Sequence, residues 1–146
     1  MNTHEQAKQL VEKFCQYYNL EPKNLKRKSA YPLKVIIKNG TYVNTASIRM
    51  SLGYFLFMHF PLRIKEVAVM VGYADHSTLS SQRKQITSYI KNNDSYFMPY
   101  YAKLYNLAKE LGISTEYQRA CTQSIPFMRY ESDASFLENI KYYENA

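Results

Sequence analysis

Two amphipathic helical patterns meet at a tight turn between Arg63 and Ile86, and this junction constrains the chain more than any other stretch. Ile64, Val67, Ala68 and Val71 fall at i, i+3, i+4 and i+7, so a first helix carries one apolar stripe for a core. Gly72 suits the left-handed position just past a helix end, where a residue without Cβ meets no steric penalty. Asp75 stands where an N-cap is expected, and Leu79, Ile86 and Ile90 recur on one side of a second helix. Ser77, Ser80, Ser81 and Lys84 keep the rest of that helix polar. The spacing predicts a helix-turn-helix whose second helix offers a polar face to a groove.

The segment Gly72-Tyr73-Ala74-Asp75-His76-Ser77-Thr78-Leu79, with the basic pair Arg83-Lys84 after it, resembles the signature of the C-terminal domain of the bacterial replication initiator DnaA, usually close to G-G-R-D-H-T-T-V. Family members carry an Arg opening the preceding long helix, and Arg49 lies at the corresponding distance from Asp75. Upstream, Val11 to Ser29 resembles the family's opening helix, Tyr-Tyr pair and basic loop, which extends the likeness over the chain up to about Gly112. There are four departures. Ala74 stands where the family usually has a phosphate-contacting Arg, Tyr73 replaces a Gly, Ser77 replaces a Thr, and Tyr31 to Ser47 is longer than the usual connection.

The resemblance implies an all-α, helix-turn-helix multi-helix domain of the DnaA C-terminal, Trp-repressor-like type over residues 1–112, with 113–146 as a partly helical C-terminal extension. It implies sequence-specific binding of double-stranded DNA in transcription or replication control. Asp75, His76, Ser77 and Thr78 match the residues that meet base edges. Lys26, Arg27 and Lys28 match a basic loop that reaches the minor groove and phosphates, and Arg49 and Lys84 match basic positions near the backbone. Arg83 either compensates for the missing Arg at Ala74 or points at solvent.

The side-chain chemistry suits those roles. An ionised Asp75 accepts from a cytosine amino group, His76 donates or accepts, Ser77 bonds either kind of edge, and Thr78 can set its methyl on a thymine methyl. An Arg in a narrow minor groove reads A·T-rich shape. Each assignment has a plainer counterpart: Asp75 as a helix cap alone, and Lys26–Lys28 as a solvated loop.

Charge is distributed in keeping with this reading. Nineteen Lys and Arg against twelve Asp and Glu give +7, with +6 in residues 1–50, +3 in 51–110 and −2 in 111–146. A field of that sign attracts phosphate backbones whatever their base sequence. The 146 residues fit one domain with 46% apolar content, enough to bury a core without disulfides. Cys15 and Cys121 have no CxxC partner, and Cys15 beside Phe14 reads as a buried thiol in a reduced, cytoplasmic setting. The run Leu52 to Leu62 is too short to span a bilayer, so no membrane partner is expected.

Catalytic chemistry finds no constellation. There is no GxxxxGK[ST], so no nucleotide-driven motor is expected, and His4, His59 and His76 are scattered without metal spacing or a paired nucleophile. The chain is read as a non-enzyme without cofactor or metal, a DnaA-like DNA-binding domain detached from its motor, as would suit a phage or mobile element.

Elsewhere, Thr3 and Gln6 form a capping box for a helix over about residues 3–20, and Pro22 opens a short further turn. LKVII, then Lys38-Asn39-Gly40-Thr41, then Tyr42-Val43 predicts a small β-hairpin insertion at about residues 31–46. A helix from about Ser47 aligns Ile48, Leu52, Phe55, Leu56 and His59 on one face until Pro61 disfavours it, and Gly53 within it suggests close helix packing. Asn93-Asp94-Ser95 ends the recognition helix, and a last long helix runs to Leu111 with Pro99 in its first turn. Ser132 can cap a helix carrying Phe136, Leu137, Ile140 and Tyr143 on one face. The alternative function follows from that tail: an interaction protein holding a protein partner through its Tyr-rich last helix and extension, which an exposed apolar patch at those four residues would favour.

Overall fold

A computed structural model describes residues 2–25, 34–36, 42–115 and 134–144, and the fold is all-α. Its helices are α1 (Thr3–Tyr17), α2 (Thr45–His59), α3 (Ile64–Met70), α4 (His76–Ser81), α5 (Arg83–Lys91), α6 (Met98–Glu110) and α7 (Ala134–Glu144), with a 3-10 turn at Pro22–Leu25. Two three-residue strands, β1 (Lys34–Ile36) and β2 (Tyr42–Asn44), pair antiparallel with Val35 opposite Val43. The Asn39-Gly40 turn expected between them lies outside the described residues, as do Cys121 and Ser132.

Helix α2 is the centre of the molecule. Every residue from Ile48 to Phe60 is buried, where the sequence pattern suggested a single apolar stripe. The run Leu52-Gly53-Tyr54-Phe55-Leu56-Phe57-Met58 explains the difference, because a helix that is apolar all round has to be enclosed on all sides. Neighbours α3, α4, α5, α6 and the 3-10 turn enclose it. Each fully buried aliphatic or aromatic side chain here, such as Leu52, Phe55 and Leu56, contributes about 1.5–3 kcal/mol by leaving water. Asn44 caps α2, its Oδ1 accepting from Ala46 N at 2.8 Å, so the helix starts at Thr45, two residues before the expected start. Pro61 keeps Phe60 extended and ends the helix.

Ends elsewhere follow local chemistry. The N-cap of α1 is Asn2, whose Oδ1 accepts from Glu5 N at 2.9 Å, and not the expected Thr3. The helix stops at Tyr17, short of residue 20, with Asn19 left-handed at φ 59°. After α5, Asn93 takes the left-handed position at φ 51°, and Asp94 Oδ1 accepts from the amides of Tyr96 and Phe97. Helix α6 ends in the same manner at Gly112, with Ile113 N donating to Ala108 O.

Helices α1 and α6 close the other side of the core. Phe14 packs edge-on to Tyr18, Tyr18 meets Tyr100, and Lys13 pairs with Glu110 at 3.1 Å. Cys15 is fully buried, as expected, and burial, aided by the charge of Glu12, pushes its thiol up to about 12. A thiol so protonated is no nucleophile at neutral pH. Helix α7 lies against α6. Its Ile140 is buried at 4% exposure and Tyr143 packs against the core, so these two members of the expected patch turn inward, while Leu137 and Tyr142 stay exposed. The side chain of Phe136 lies outside the described residues.

Candidate nucleic-acid interface

The turn between α3 and α4 is built as its sequence demands. Gly72 adopts φ 90°, Tyr73 N donates to Ala68 O at 2.9 Å, and Gly72 N donates to Val69 O at 3.3 Å, which together close the end of α3. Val67, Ala68 and Val71 face the core and Leu79 does so from α4. Where a Cβ on Gly53 would stand, Leu79 Cδ1 lies 3.1 Å away and a Val71 methyl 3.5 Å away. The close packing suggested by Gly53 is therefore the seat of α4 on α2.

Asp75 caps α4, its Oδ1 accepting from Ser77 N at 3.0 Å. That bond, then one from the Ser77 hydroxyl, holds the Asp75 carboxyl below the usual carboxylate range, with smaller help from the charges of His76 and Lys65. The carboxylate is thus ionised at neutral pH and accepts only. Its side chain stays 62% exposed, so capping leaves it open to a ligand. His76 Nδ1 lies 3.2 Å from the same oxygen. A proton on Nδ1 facing the carboxylate leaves Nε2 as the imidazole's remaining polar atom. Ser77 is exposed and Thr78 half-buried. All four expected reading residues therefore gather at one helix N-terminus.

The basic residues divide. Lys84 is exposed on α5. Arg83 opens that helix, but its side chain lies outside the described residues, as do Lys26, Arg27 and Lys28 entirely. Arg49 is buried at 7% exposure, and its Nη1 donates to Leu25 O at 2.8 Å. It holds the residue immediately before the Lys26–Lys28 triplet. Periodicity carried that signal, since Arg49 lies three, four and seven positions before Leu52, Gly53 and Leu56 on the inward side.

Two further findings had weaker signals. The second helix of the motif is interrupted at Gln82, so that α4 and α5 replace the single helix expected from Asp75 to Asn92, although Gln82 N still donates to Thr78 O and Ile86 N to Gln82 O. Tyr73, half-buried behind the turn, donates its hydroxyl to Gln82 Oε1 at 2.6 Å. Beside it, a cleft of about 480 Å³ runs between Pro22 and Lys23 on one side and Val69, Met70, Gly72, Tyr73 and Ala74 on the other. Ala74, exposed at this rim, offers no charge.

No protein family, curated protein or solved structure matches the chain. Among the described residues no group of three His, Cys, Asp or Glu is placed to hold a metal ion, and no helix is long and apolar enough to cross a membrane.

Proposed function

We propose that the chain binds double-stranded DNA in a sequence-specific manner, laying the N-terminus of α4 in the major groove. The observation that carries this reading is the gathering of Asp75, His76, Ser77 and Thr78 at that N-terminus, on a short helix seated against α2 behind a helix-turn-helix turn. In such motifs the N-terminal residues of the second helix meet base edges while the first crosses the backbone. Lys84 on the flanking helix and the positive charge of the first 110 residues supply phosphate attraction. The likeness of Gly72–Leu79 to the DnaA signature agrees with this role, and control of transcription or replication is the setting it suggests. The cytoplasm is the compartment proposed with it.

The test is selection of bound duplexes from a random DNA pool at about physiological salt. A defined motif is the expected result. Arg27→Ala is expected to weaken binding across sequences and to lower the salt slope by about one. Recovery of no enriched motif would sink the proposal.

A protein-partner role is the second reading. The exposed Leu137 and Tyr142 of α7, 48% and 71% exposed, favour it. The inward Ile140 reduces the surface available for such a contact.

A further inference from the structure

Resting on the DNA-reading proposal, a second layer of residues takes a role in recognition without touching DNA. Tyr73 sits directly after Gly72 and reaches nine residues forward to Gln82, the residue at which α4 gives way to α5. Burial raises its phenol well above the ordinary value, with the nearby Arg49 charge partly opposing that rise. The hydroxyl therefore keeps its proton and donates it to Gln82 Oε1. Arg49 in turn crosses from α2 to the carbonyl of Leu25, itself fully buried. The first bond ties the α3–α4 turn to the α4–α5 junction, and the second ties the central helix, on which α4 is seated through Leu79, to the 3-10 turn, both at points away from the four reading residues.

We propose that Tyr73 and Arg49 are positioning residues: Tyr73 braces the α3–α4 turn against the α4–α5 junction, and Arg49 fixes to Leu25 the central helix on which α4 is seated, so that Asp75–Thr78 meet the groove at one angle. Groups that must match a base ladder need their supports fixed to fractions of an ångström, so loss of a supporting bond is felt in specificity before it is felt in stability. The backbone attraction supplied by exposed Lys side chains does not depend on that angle.

Tyr73→Phe removes only the hydroxyl, and Arg49→Met removes the charge and the donor to Leu25 O while keeping a long unbranched side chain. With the full chain, affinities are measured for the selected duplex and for a scrambled duplex of equal length, at several salt concentrations and below the melting range of each variant. The expected result is a loss of about fivefold for the selected duplex in either variant, the scale of one hydrogen bond's net worth, with the scrambled duplex and the salt slope unchanged. The double variant loses less than the product of the two, because both act through one assembly. Arg49→Lys, which keeps a donor for Leu25 O, binds closer to wild type than Arg49→Met, which has none.

Three outcomes overturn the brace. Unchanged affinity in both single variants does so, as do losses that multiply fully in the double variant. The third is an Arg49→Met variant that weakens both duplexes alike and drops the salt slope by about one, because Arg49 would then be a phosphate contact. A wild-type chain that enriches no motif instead removes the DNA-reading proposal itself, which separates the two failures.

Discussion

Phe55→Ala lowers the free energy of unfolding by about 3–5 kcal/mol, the range for deleting a fully buried aromatic side chain. Phe55 has no exposed surface and sits midway along α2. Its ring meets His59 at 4.6 Å, Tyr105 edge-on at 5.0 Å and Tyr101 at 5.7 Å between centroids. Tyr101 joins Tyr54, Phe97 and Tyr105 in the same group, so removal of Phe55 opens a cavity among rings whose positions are set by one another. Rigid rings collapse poorly into such a space, which keeps the cost at the upper part of its range. Urea titration measures the loss, and a thermal scan is expected to show a midpoint roughly 10 °C lower. Tyr96→Ala is the control, since Tyr96 is 83% exposed and a surface change of that kind stays within about 0.5 kcal/mol. A Phe55→Ala variant as stable as the control would mean that α2 is not the centre of the core.

Asp75→Ala is expected to reduce discrimination between the selected duplex and its single-base variants by about tenfold to a hundredfold, the worth of one good base contact. The argument needs a companion substitution, because Asp75 performs two tasks. It caps α4 through Ser77 N, and it presents an ionised, exposed carboxylate. Asn caps helices about as well as Asp but replaces half of an acceptor-only group with an amide donor. Asp75→Asn is therefore expected to keep the thermal midpoint of the wild type while changing the preferred base at one position of the motif. The alanine variant loses both the cap and the preference. An unchanged motif from the asparagine variant would reduce Asp75 to a cap.

Local chemistry made the turn legible in the sequence. Gly72 and Asp75 act within five residues of themselves, one by conformational freedom and the other by a side-chain oxygen near the second amide of the helix, and both are found as read. The four reading residues follow from that placement, because a helix start fixes which side chains come first. Arg49 shows a different limit. The resemblance placed it near a DNA backbone, and the structure buries it with its guanidinium on Leu25 O, a position that its spacing from Leu52 and Leu56 carried but that the resemblance did not convey. The break at Gln82 had no local sign, since neither Gly nor Pro stands between Ser80 and Ser88. Its partner Tyr73 lies on the far side of the turn, and that contact exists only once α3 and α4 have docked. The all-round burial of α2 was visible in composition but not in periodicity, because a stripe template records only the face it was written for.

The seat of α4 carries a consequence for the proposed reading of DNA. Glycine at position 53 costs the central helix about 1 kcal/mol relative to alanine. The same methyl group that would recover this stability would press on Leu79, whose Cδ1 lies 3.1 Å from where it would stand, and that side chain would have to give by a few tenths of an ångström. Gain and strain fall on one atom, and how far the Leu79 side chain can give decides which of them prevails in the folding balance. Under the DNA-binding proposal, any part of that shift passed on to α4 changes the height at which its N-terminus meets a groove. Position 53 is thus, on that proposal, a buried place from which site preference can be altered, through a residue that does not itself meet the DNA.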